Sequence, residues 1–191
     1  MKGLSLYLFL ILFTLQTPSQ ADDIRDLQIE GMSIGDSLLD YFSKEEIEKN
    51  RFKEIYEDDT YIYTTFNRLE FFKTYGGLQF SYKKYDKKYI IQSISGLIYY
   101  KDNIGDCYKK QKEISQEFSE IFKNTKMRND TFVYPKNFGS SQSKQIIYDF
   151  KSGDGIVLEC IDFEGVDLID NLRISIDDKE FQTWLKNTAL N

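Results

Sequence analysis

Hydrophobic and polar positions along the chain predict alternating helical and extended segments. Apolar residues recur at spacings of three and four over residues 34–42, which is typical of one face of a helix. Ser43 begins a second short helix, because Glu46 follows three positions later and completes a capping box. A third helical pattern follows residues 104–107 and runs over residues 108–122, with Asp106 as its predicted N-cap.

Extended segments follow each helical part. The predicted strands cover residues 61–66, 78–82, 89–100, 131–134, 145–150, 156–163 and 172–176. Turn residues separate the strands of two predicted antiparallel hairpins, one over residues 78–100 and one over 145–163. A short closing helix is expected from about Asp178.

The order of helix, strands, helix and strands predicts an α+β fold with helices packed on antiparallel β-meanders. The tetrapeptide Ile34-Gly35-Asp36-Ser37 is echoed by Ile104-Gly105-Asp106-Cys107, seventy positions later (104 − 34 = 70). This echo predicts a tandem duplication of a unit of about 70 residues, with units at 22–101 and 102–191. The two units could form two small sheets or one continuous domain.

The first 21 residues have the pattern of a secretory signal. Lys2 supplies the positive charge, residues 4–15 are apolar, and Ser19-Gln20-Ala21 place small side chains before a cleavage site. Twelve apolar residues are fewer than the roughly 20 that cross a bilayer as a helix. We therefore predict cleavage after Ala21 and a periplasmic or secreted protein with no membrane span after signal removal.

The chain has two cysteines, Cys107 and Cys160. An exported pair most simply forms one disulfide bond. A redox or catalytic thiol is the alternative, but there is no histidine to activate it and no Cys-x-x-Cys pair.

Composition excludes several classes of chemistry. The 191 residues include no histidine, which removes histidine-based acid–base catalysis and most catalytic zinc sites. The 25 basic and 31 acidic residues give a net charge of −6, so nucleic acid is not an expected partner. No phosphate-binding or dinucleotide-binding glycine motif is present, and we expect no cofactor.

One motif resembles an enzyme signature. Gly35-Asp36-Ser37-Leu38 is similar to the nucleophile block of GDSL-type hydrolases, which implies that Ser37 attacks an ester. The family also needs a histidine base and a glycine two positions before its Asn-Asp pair, whereas Met127 precedes Asn129-Asp130 here. A serine hydroxyl without an adjacent base is a poor nucleophile, so we expect no hydrolysis through Ser37.

Charge is segregated along the chain. Residues 71–101 combine six lysines with aromatic residues, whereas residues 145–180 carry ten acidic and three basic residues. The basic segment contains a candidate surface for an anionic partner, formed by Lys83, Lys84, Lys87, Lys88, Tyr82 and Tyr85. Alternatively, its aromatic residues point into the core and its lysines keep an edge strand soluble. The basic and the acidic segment could also dock on each other. Separately, the carboxylates of residues 164–170 could hold a calcium ion.

Two resemblances bear on fold and function. Residues 27–42, 77–80 and 104–108 resemble short exported proteins of marine alphaproteobacteria with AT-rich genomes, which implies export but no known activity. Gly31-Met32-Ser33 before a predicted helix and hairpin is similar to the outer-membrane assembly lipoprotein BamE and to the β-lactamase-inhibitor-like fold. That second resemblance implies helices against an antiparallel sheet, singly or in tandem, and the binding of proteins.

These observations favour a non-catalytic binding or envelope-interaction module. Its expected partner is an envelope protein or an anionic polymer. The alternatives are a carboxylate-based hydrolase of cell-wall or extracellular polymers, although no carboxylate pair stands out, and a small-ligand carrier lined by tyrosines.

Overall fold

The computed structural model describes residues 24–52, 58–70, 72–101, 103–134 and 136–189. The predicted signal at residues 1–21 lies outside them. The described chain has a mostly sheet α+β architecture, in which three α-helices accompany one eight-stranded antiparallel sheet. Among the described residues, no helix is long and apolar enough to cross a membrane.

The elements have the following bounds. The strands are β1 (Arg51–Phe52), β2 (Tyr61–Asn67), β3 (Gly77–Lys83), β4 (Ser93–Tyr99), β5 (Lys126–Val133), β6 (Gln142–Asp149), β7 (Gly155–Asp162) and β8 (Asn171–Asp177). The α-helices are α1 (Lys44–Lys49), α2 (Ile104–Ile121) and α3 (Lys179–Trp184). A π-helical turn, Leu185–Ala189, follows α3, and three short 3-10 turns occur at Ile24–Asp26, Leu38–Asp40 and Lys136–Phe138.

The strand order is β1-β2-β3-β4-β8-β7-β6-β5, and all neighbours are antiparallel. Each half of the chain therefore forms a four-stranded meander preceded by a helix. The two meanders join through their last strands, β4 and β8, where Ile94 lies opposite Ile176. The strands from residues 22–101 and 102–191 thus belong to one continuous sheet.

The hydrophobic core lies on the face of the sheet that α2 covers. Alternate strand residues point into it, as period-two burial requires. Its fully buried members include Leu78, Phe80, Ile94, Ile156, Leu158 and Leu172. The N-terminal segment contributes Ile29, Leu38 and Ile47 to the same cluster, so one core serves both halves.

The disulfide predicted between Cys107 and Cys160 is confirmed, with a Cα–Cα distance of 6.0 Å. It joins the first turn of α2 to β7, and both residues are fully buried. Beside it, Gln111 donates from Nε2 to the carbonyl oxygens of Lys144 at 2.7 Å and Leu158 at 2.8 Å. These links fix α2 on the second meander.

The helix predicted over residues 34–42 is wrong. Gly35 adopts a φ of +91°, which interrupts a right-handed helix and favours glycine. Ser37 then accepts a hydrogen bond from the backbone N–H of Leu39, and a 3-10 turn replaces the helix. Ile34, Leu38 and Phe42 are buried from successive turns that happen to share helical spacing, whereas Leu39 is 43% exposed.

The predicted role of Asp106 is also wrong. The N-cap of α2 is Asn103, whose side chain accepts from the backbone N–H of Asp106. Gly105 lies inside α2, whereas its counterpart Gly35 lies in a turn, so the two echoed tetrapeptides have different conformations. The capping box at Ser43 and Glu46 is confirmed, and so is the start of α3 after Asp178.

Candidate binding trough on the open sheet face

The face of the sheet opposite the core, which we call the open face, holds a cavity of about 820 Å³. Residues from all eight strands line it. One register row crosses its floor through Thr65, Gln79, Ser95, Ser175, Val157 and Ile147. We call this cavity, with its floor row and the walls described below, the trough.

The centre of the floor is formed by small polar side chains. Ser95 and Ser175 lie opposite each other on β4 and β8, and their hydroxyl oxygens are 2.8 Å apart. This hydrogen bond joins the two halves of the molecule.

Aromatic and aliphatic side chains form the walls. On the β5 side, Tyr134 contacts the rings of Phe132 and Phe138 at centroid distances of 5.0 and 5.5 Å. On the β1 side, Phe52 is 52% exposed. Leu168, in the loop between β7 and β8, is 48% exposed. A ring of accessible apolar groups therefore surrounds a floor that is polar at its centre.

Helix α3 closes one end of the trough. Phe181 and Trp184 pack on Tyr61 at centroid distances of 5.1 and 4.9 Å. Trp184 Nε1 also donates to Asp58 Oδ1 at 2.9 Å. These contacts fix the C-terminal helix of the second half on the first half. Because they bury Tyr61, the pKa of its hydroxyl is raised to about 12.

Two carboxylates lie low in the trough, and both accept hydrogen bonds from neighbouring side chains. Glu159 is 5% exposed and accepts from Ser143 Oγ at 2.6 Å and Gln145 Nε2 at 2.8 Å. Its other oxygen lies 3.5 Å from Arg173 Nη1. The Glu159 carboxylate is thus partly desolvated and hydrogen-bonded within the protein itself.

Asp177 is the second of these carboxylates. Ser93 Oγ and Gln182 Nε2 donate to it at 2.5 and 2.8 Å. Burial raises its pKa to about 6, against the opposing effect of these hydrogen bonds. Asp177 therefore changes charge within the range of moderately acidic pH.

The geometry does not favour hydrolysis by this carboxylate pair. Glu159 lies opposite Arg173, and Asp177 follows Arg173 by four residues along β8. Four residues of strand span about 13 Å, whereas paired glycosidase carboxylates stand roughly 5 to 9.5 Å apart.

The GDSL resemblance brings no catalytic group together. Ser37 Oγ donates to the backbone carbonyl of Lys88 at 2.6 Å, so its proton is held by an amide oxygen that cannot act as a base. Asn129 and Asp130 lie on β5, the edge strand farthest from this part of the first half. Ser37 instead forms an isolated bridge with Ile90 next to β4.

The proposed calcium segment is also occupied by internal bonds. Asp170 Oδ1 accepts from the backbone N–H of Phe163 at 2.9 Å. Within the described ranges, no group of three or more cysteine or acidic side chains is placed to hold a metal ion.

The candidate anionic-partner surface is only partly assembled. Tyr82 is 2% exposed and belongs to the core, so its assignment to the surface is wrong. Lys83 is paired with Glu180, and Lys84 with Asp59. Tyr85, which is 85% exposed, shares the turn after β3 with Lys87 and Lys88. Together with the exposed Lys83, these last three residues form the accessible part of the predicted surface, whose role stays a prediction.

The predicted docking of opposite charges has a counterpart within the molecule. The pair between Lys83 and Glu180 joins the basic segment to the acidic one. It lies beside α3, so it reinforces the contact between that helix and the first half.

Comparison with protein-family profiles, curated protein sequences and solved structures returned no match to this chain. The resemblances to exported proteins, to BamE and to the β-lactamase-inhibitor-like fold therefore stay predictions.

Sequence reasoning missed the trough, although one signal for it exists. Ile146-Ile147 on β6 and Ile156-Val157 on β7 are adjacent apolar pairs. Since neighbouring strand residues point to opposite faces, such pairs place an apolar side chain on each face of the sheet. A second, non-core apolar surface can be inferred from them.

Proposed function

We propose that this protein is a non-catalytic binding module whose trough receives a protruding part of another protein. The observation that carries this proposal is the ring of accessible apolar side chains around the floor of the open face. The open face of an antiparallel sheet is ordinarily polar where it meets water. Exposed apolar groups around a concave surface are typical of binding sites, and aromatic residues are enriched at protein interfaces.

The open shape of the trough favours a protein partner over a small ligand, although its volume of about 820 Å³ is also within the range of small-molecule pockets. Eight strands at about 4.8 Å spacing make a surface roughly 34 Å across. A small-molecule pocket encloses most of its ligand, whereas the walls here stand on separate elements: β1, β5, the loop between β7 and β8, and α3. A loop or helix end from another protein fits a surface of this shape.

The test compares affinity capture of partner proteins by the wild type and by a variant whose trough is filled by a mutated side chain. Ser175→Trp places a bulky ring on the floor, while circular dichroism checks that the fold is intact. The tagged wild type and this variant are cross-linked in the native envelope fraction, and captured proteins are identified by mass spectrometry. The captured partner is then purified, and its affinity is measured by titration calorimetry.

The matched control is Lys87→Glu with Lys88→Glu, which reverses the charge of the exposed turn. We expect Ser175→Trp to weaken binding at least about tenfold. The lysine variant should bind as the wild type does. The opposite pattern would assign binding to the lysine turn and overturn the proposal. Empty capture together with saturable thermal stabilisation by a small compound would favour the carrier.

Export is part of the same proposal. The apolar segment at 4–15 and the predicted cleavage after Ala21 support it, and the Cys107–Cys160 disulfide agrees with an oxidising compartment. Mass spectrometry of the protein recovered from the periplasm or medium should find Asp22 as its first residue.

We further infer that the two halves arose by tandem duplication. The order of a helix followed by a four-stranded meander in each half supports this inference, as does the pairing of the two last strands, β4 and β8.

A further inference from the structure

The two edges of the sheet differ in length. Strand order leaves β1 and β5 at the edges. Among the described residues, which omit 53–57, β1 has two residues, whereas β5 has eight and contains neither proline nor glycine. A long edge strand presents a row of unpaired backbone groups that can pair with another strand. The β5 edge is therefore the place where this sheet can be extended.

The backbone groups of β5 that point outward can be identified. Tyr134 N–H donates to the carbonyl of Ser141 at 3.0 Å, one step beyond the last residue pair of β5 and β6. Hydrogen-bonded and non-hydrogen-bonded pairs alternate in antiparallel sheets. The even-numbered residues of β5 therefore bond to β6. The N–H and C=O groups of the odd-numbered residues, Met127, Asn129, Thr131 and Val133, face away from it.

We propose that the β5 strands of two copies of this chain pair antiparallel about a two-fold axis at Asn129. In this register Asn129 lies opposite Asn129 of the second copy, and Met127 lies opposite Thr131 of the second copy. The backbone groups of these residues face outward, so the required hydrogen bonds can form. The Thr131 N–H donates to Asp130 Oδ1 at 2.8 Å within one copy, and in the dimer it exchanges that bond for the intermolecular one.

Charge selects this register over its neighbours. Centred on Asn129, the pairing places Arg128 opposite Asp130 of the second copy, and it does so twice because of the symmetry. Within one copy these two side chains already lie 3.1 Å apart on the open face. Moving the axis by one residue places Arg128 opposite itself or Asp130 opposite itself. Like charges directly opposite each other are destabilising in a sheet.

The same register places Lys126 opposite Phe132 of the second copy, on the trough side of the sheet. A lysine ammonium group over an aromatic ring adds a favourable contact. The dimer would extend the sheet to sixteen strands by the edge-to-edge pairing that already joins β4 to β8. Because the two-fold axis is perpendicular to the sheet, both troughs would open on the same side of the dimer. A partner with two binding elements could then fill both troughs, and its second element would bind at a raised effective concentration.

An interface of one strand per copy is small, so we expect a dimer of micromolar affinity that salt weakens. Sedimentation velocity on the mature protein at low and high salt measures this association. Arg128→Asp and Asp130→Arg should each raise the dissociation constant at least about tenfold, because each places like charges opposite each other. The double variant exchanges the charges and should recover to within about threefold of the wild type.

Asn129→Pro tests the backbone contribution. The Asn129 N–H faces away from β6, so proline deletes an intermolecular donor while every bond between β5 and β6 is kept. Denaturant unfolding checks the stability of each variant. We expect Asn129→Pro to be monomeric, and Asn129→Cys to form a cross-linked dimer on mild oxidation, since Cα atoms of such a pair stand about 5.5 Å apart. Val133→Cys is the matched control and should not cross-link.

A wild type that stays monomeric at low salt and high concentration would overturn the proposal. So would a dimer that survives Asn129→Pro, since another surface would then hold it. If the wild type is monomeric and Asn129→Pro instead loses the partner captured by the trough, the edge receives a strand of that other protein and the second copy is excluded.

Discussion

Asp177 connects the floor of the trough to the helix at its end. Its carboxylate is buried beneath α3 and its pKa is raised to about 6 by burial. In the unfolded chain the pKa of an aspartate is about 3.9. Between these values the folded state holds a proton that the unfolded state has lost, so the free energy of unfolding falls as pH rises from about 4 to about 6. The total loss is about 3 kcal/mol.

Asp177→Asn removes this titration. The variant should lack the loss of stability that the wild type shows as pH rises. The free energy of unfolding of the variant minus that of the wild type should therefore increase by about 3 kcal/mol from pH 4 to pH 7. Urea unfolding across this pH range, followed by circular dichroism, measures the difference.

Asp58 gives a control of opposite sign. The hydroxyl and backbone N–H of Thr60 lower its pKa, and Trp184 adds to the effect. Its carboxylate therefore stabilises the folded state at neutral pH, and this contribution disappears as pH falls. Asp58→Asn should lose stability relative to the wild type toward neutral pH.

Parallel curves of unfolding free energy against pH for Asp177→Asn and the wild type would show that the buried Asp177 carboxylate does not titrate as described.

At the scale of elements, α2 is attached to the sheet by a buried polar contact. Gln111 Nε2 donates to two carbonyl oxygens, those of Lys144 and Leu158. Gln111→Leu leaves both buried carbonyls without this donor, and we expect a loss of about 2 to 4 kcal/mol. Denaturant unfolding measures it against Lys112→Leu, an exposed position on the same helix that should change stability by less than about 0.5 kcal/mol. Equal stabilities for the two variants would contradict this role of Gln111.

The disulfide is the covalent counterpart of that contact. Cys107 and Cys160 are separated by 53 positions, and closing a loop of this length stabilises a fold by about 4 kcal/mol in the chain-entropy model. Replacing both cysteines with alanine should lower the free energy of unfolding by this amount. Guanidinium denaturation checks it, with far-ultraviolet circular dichroism confirming that α2 remains. A loss below about 1 kcal/mol would place the stabilisation of α2 in its packing alone.

The sequence patterns predicted most elements because each has a local cause. Alternation along β3 and the capping box of α1 depend on residues within a few positions of each other, and both were correctly predicted. Residues 34–42 failed because spacing alone cannot distinguish a helix from consecutive buried turns, and Gly35 decides in favour of a turn. The start of β5 was missed because its first five residues, 126–130, have no apolar alternation. An edge strand buries too little apolar surface to require such an alternation of apolar residues.

At the scale of the whole molecule, the trough could not be predicted because its parts are distant in sequence. Ser95 and Ser175 are eighty positions apart and meet only because β4 pairs with β8. The sequence left open whether two sheets or one would form. Only the single sheet creates a floor between the halves, so the site follows from the topology and not from any motif.

That junction also determines how the molecule unfolds. Seven residues of β4 pair with seven of β8, and Trp184, the only tryptophan, packs on Tyr61 of the other half. We therefore expect Phe80→Ala, a buried change in the first half, to destabilise the second half equally. The loss is about 3 to 5 kcal/mol.

Two signals test this coupling in one denaturant titration. Helical circular dichroism reports mainly on α2, in the second half, while Trp184 fluorescence reports on the contact between α3 and β2. Both transitions should move together to the same lower denaturant concentration in Phe80→Ala. If the helical signal kept the wild-type midpoint while the fluorescence shifted, the halves would unfold separately. The floor at Ser95 and Ser175 would then open before the rest of the molecule, and the trough could not be a rigid binding surface.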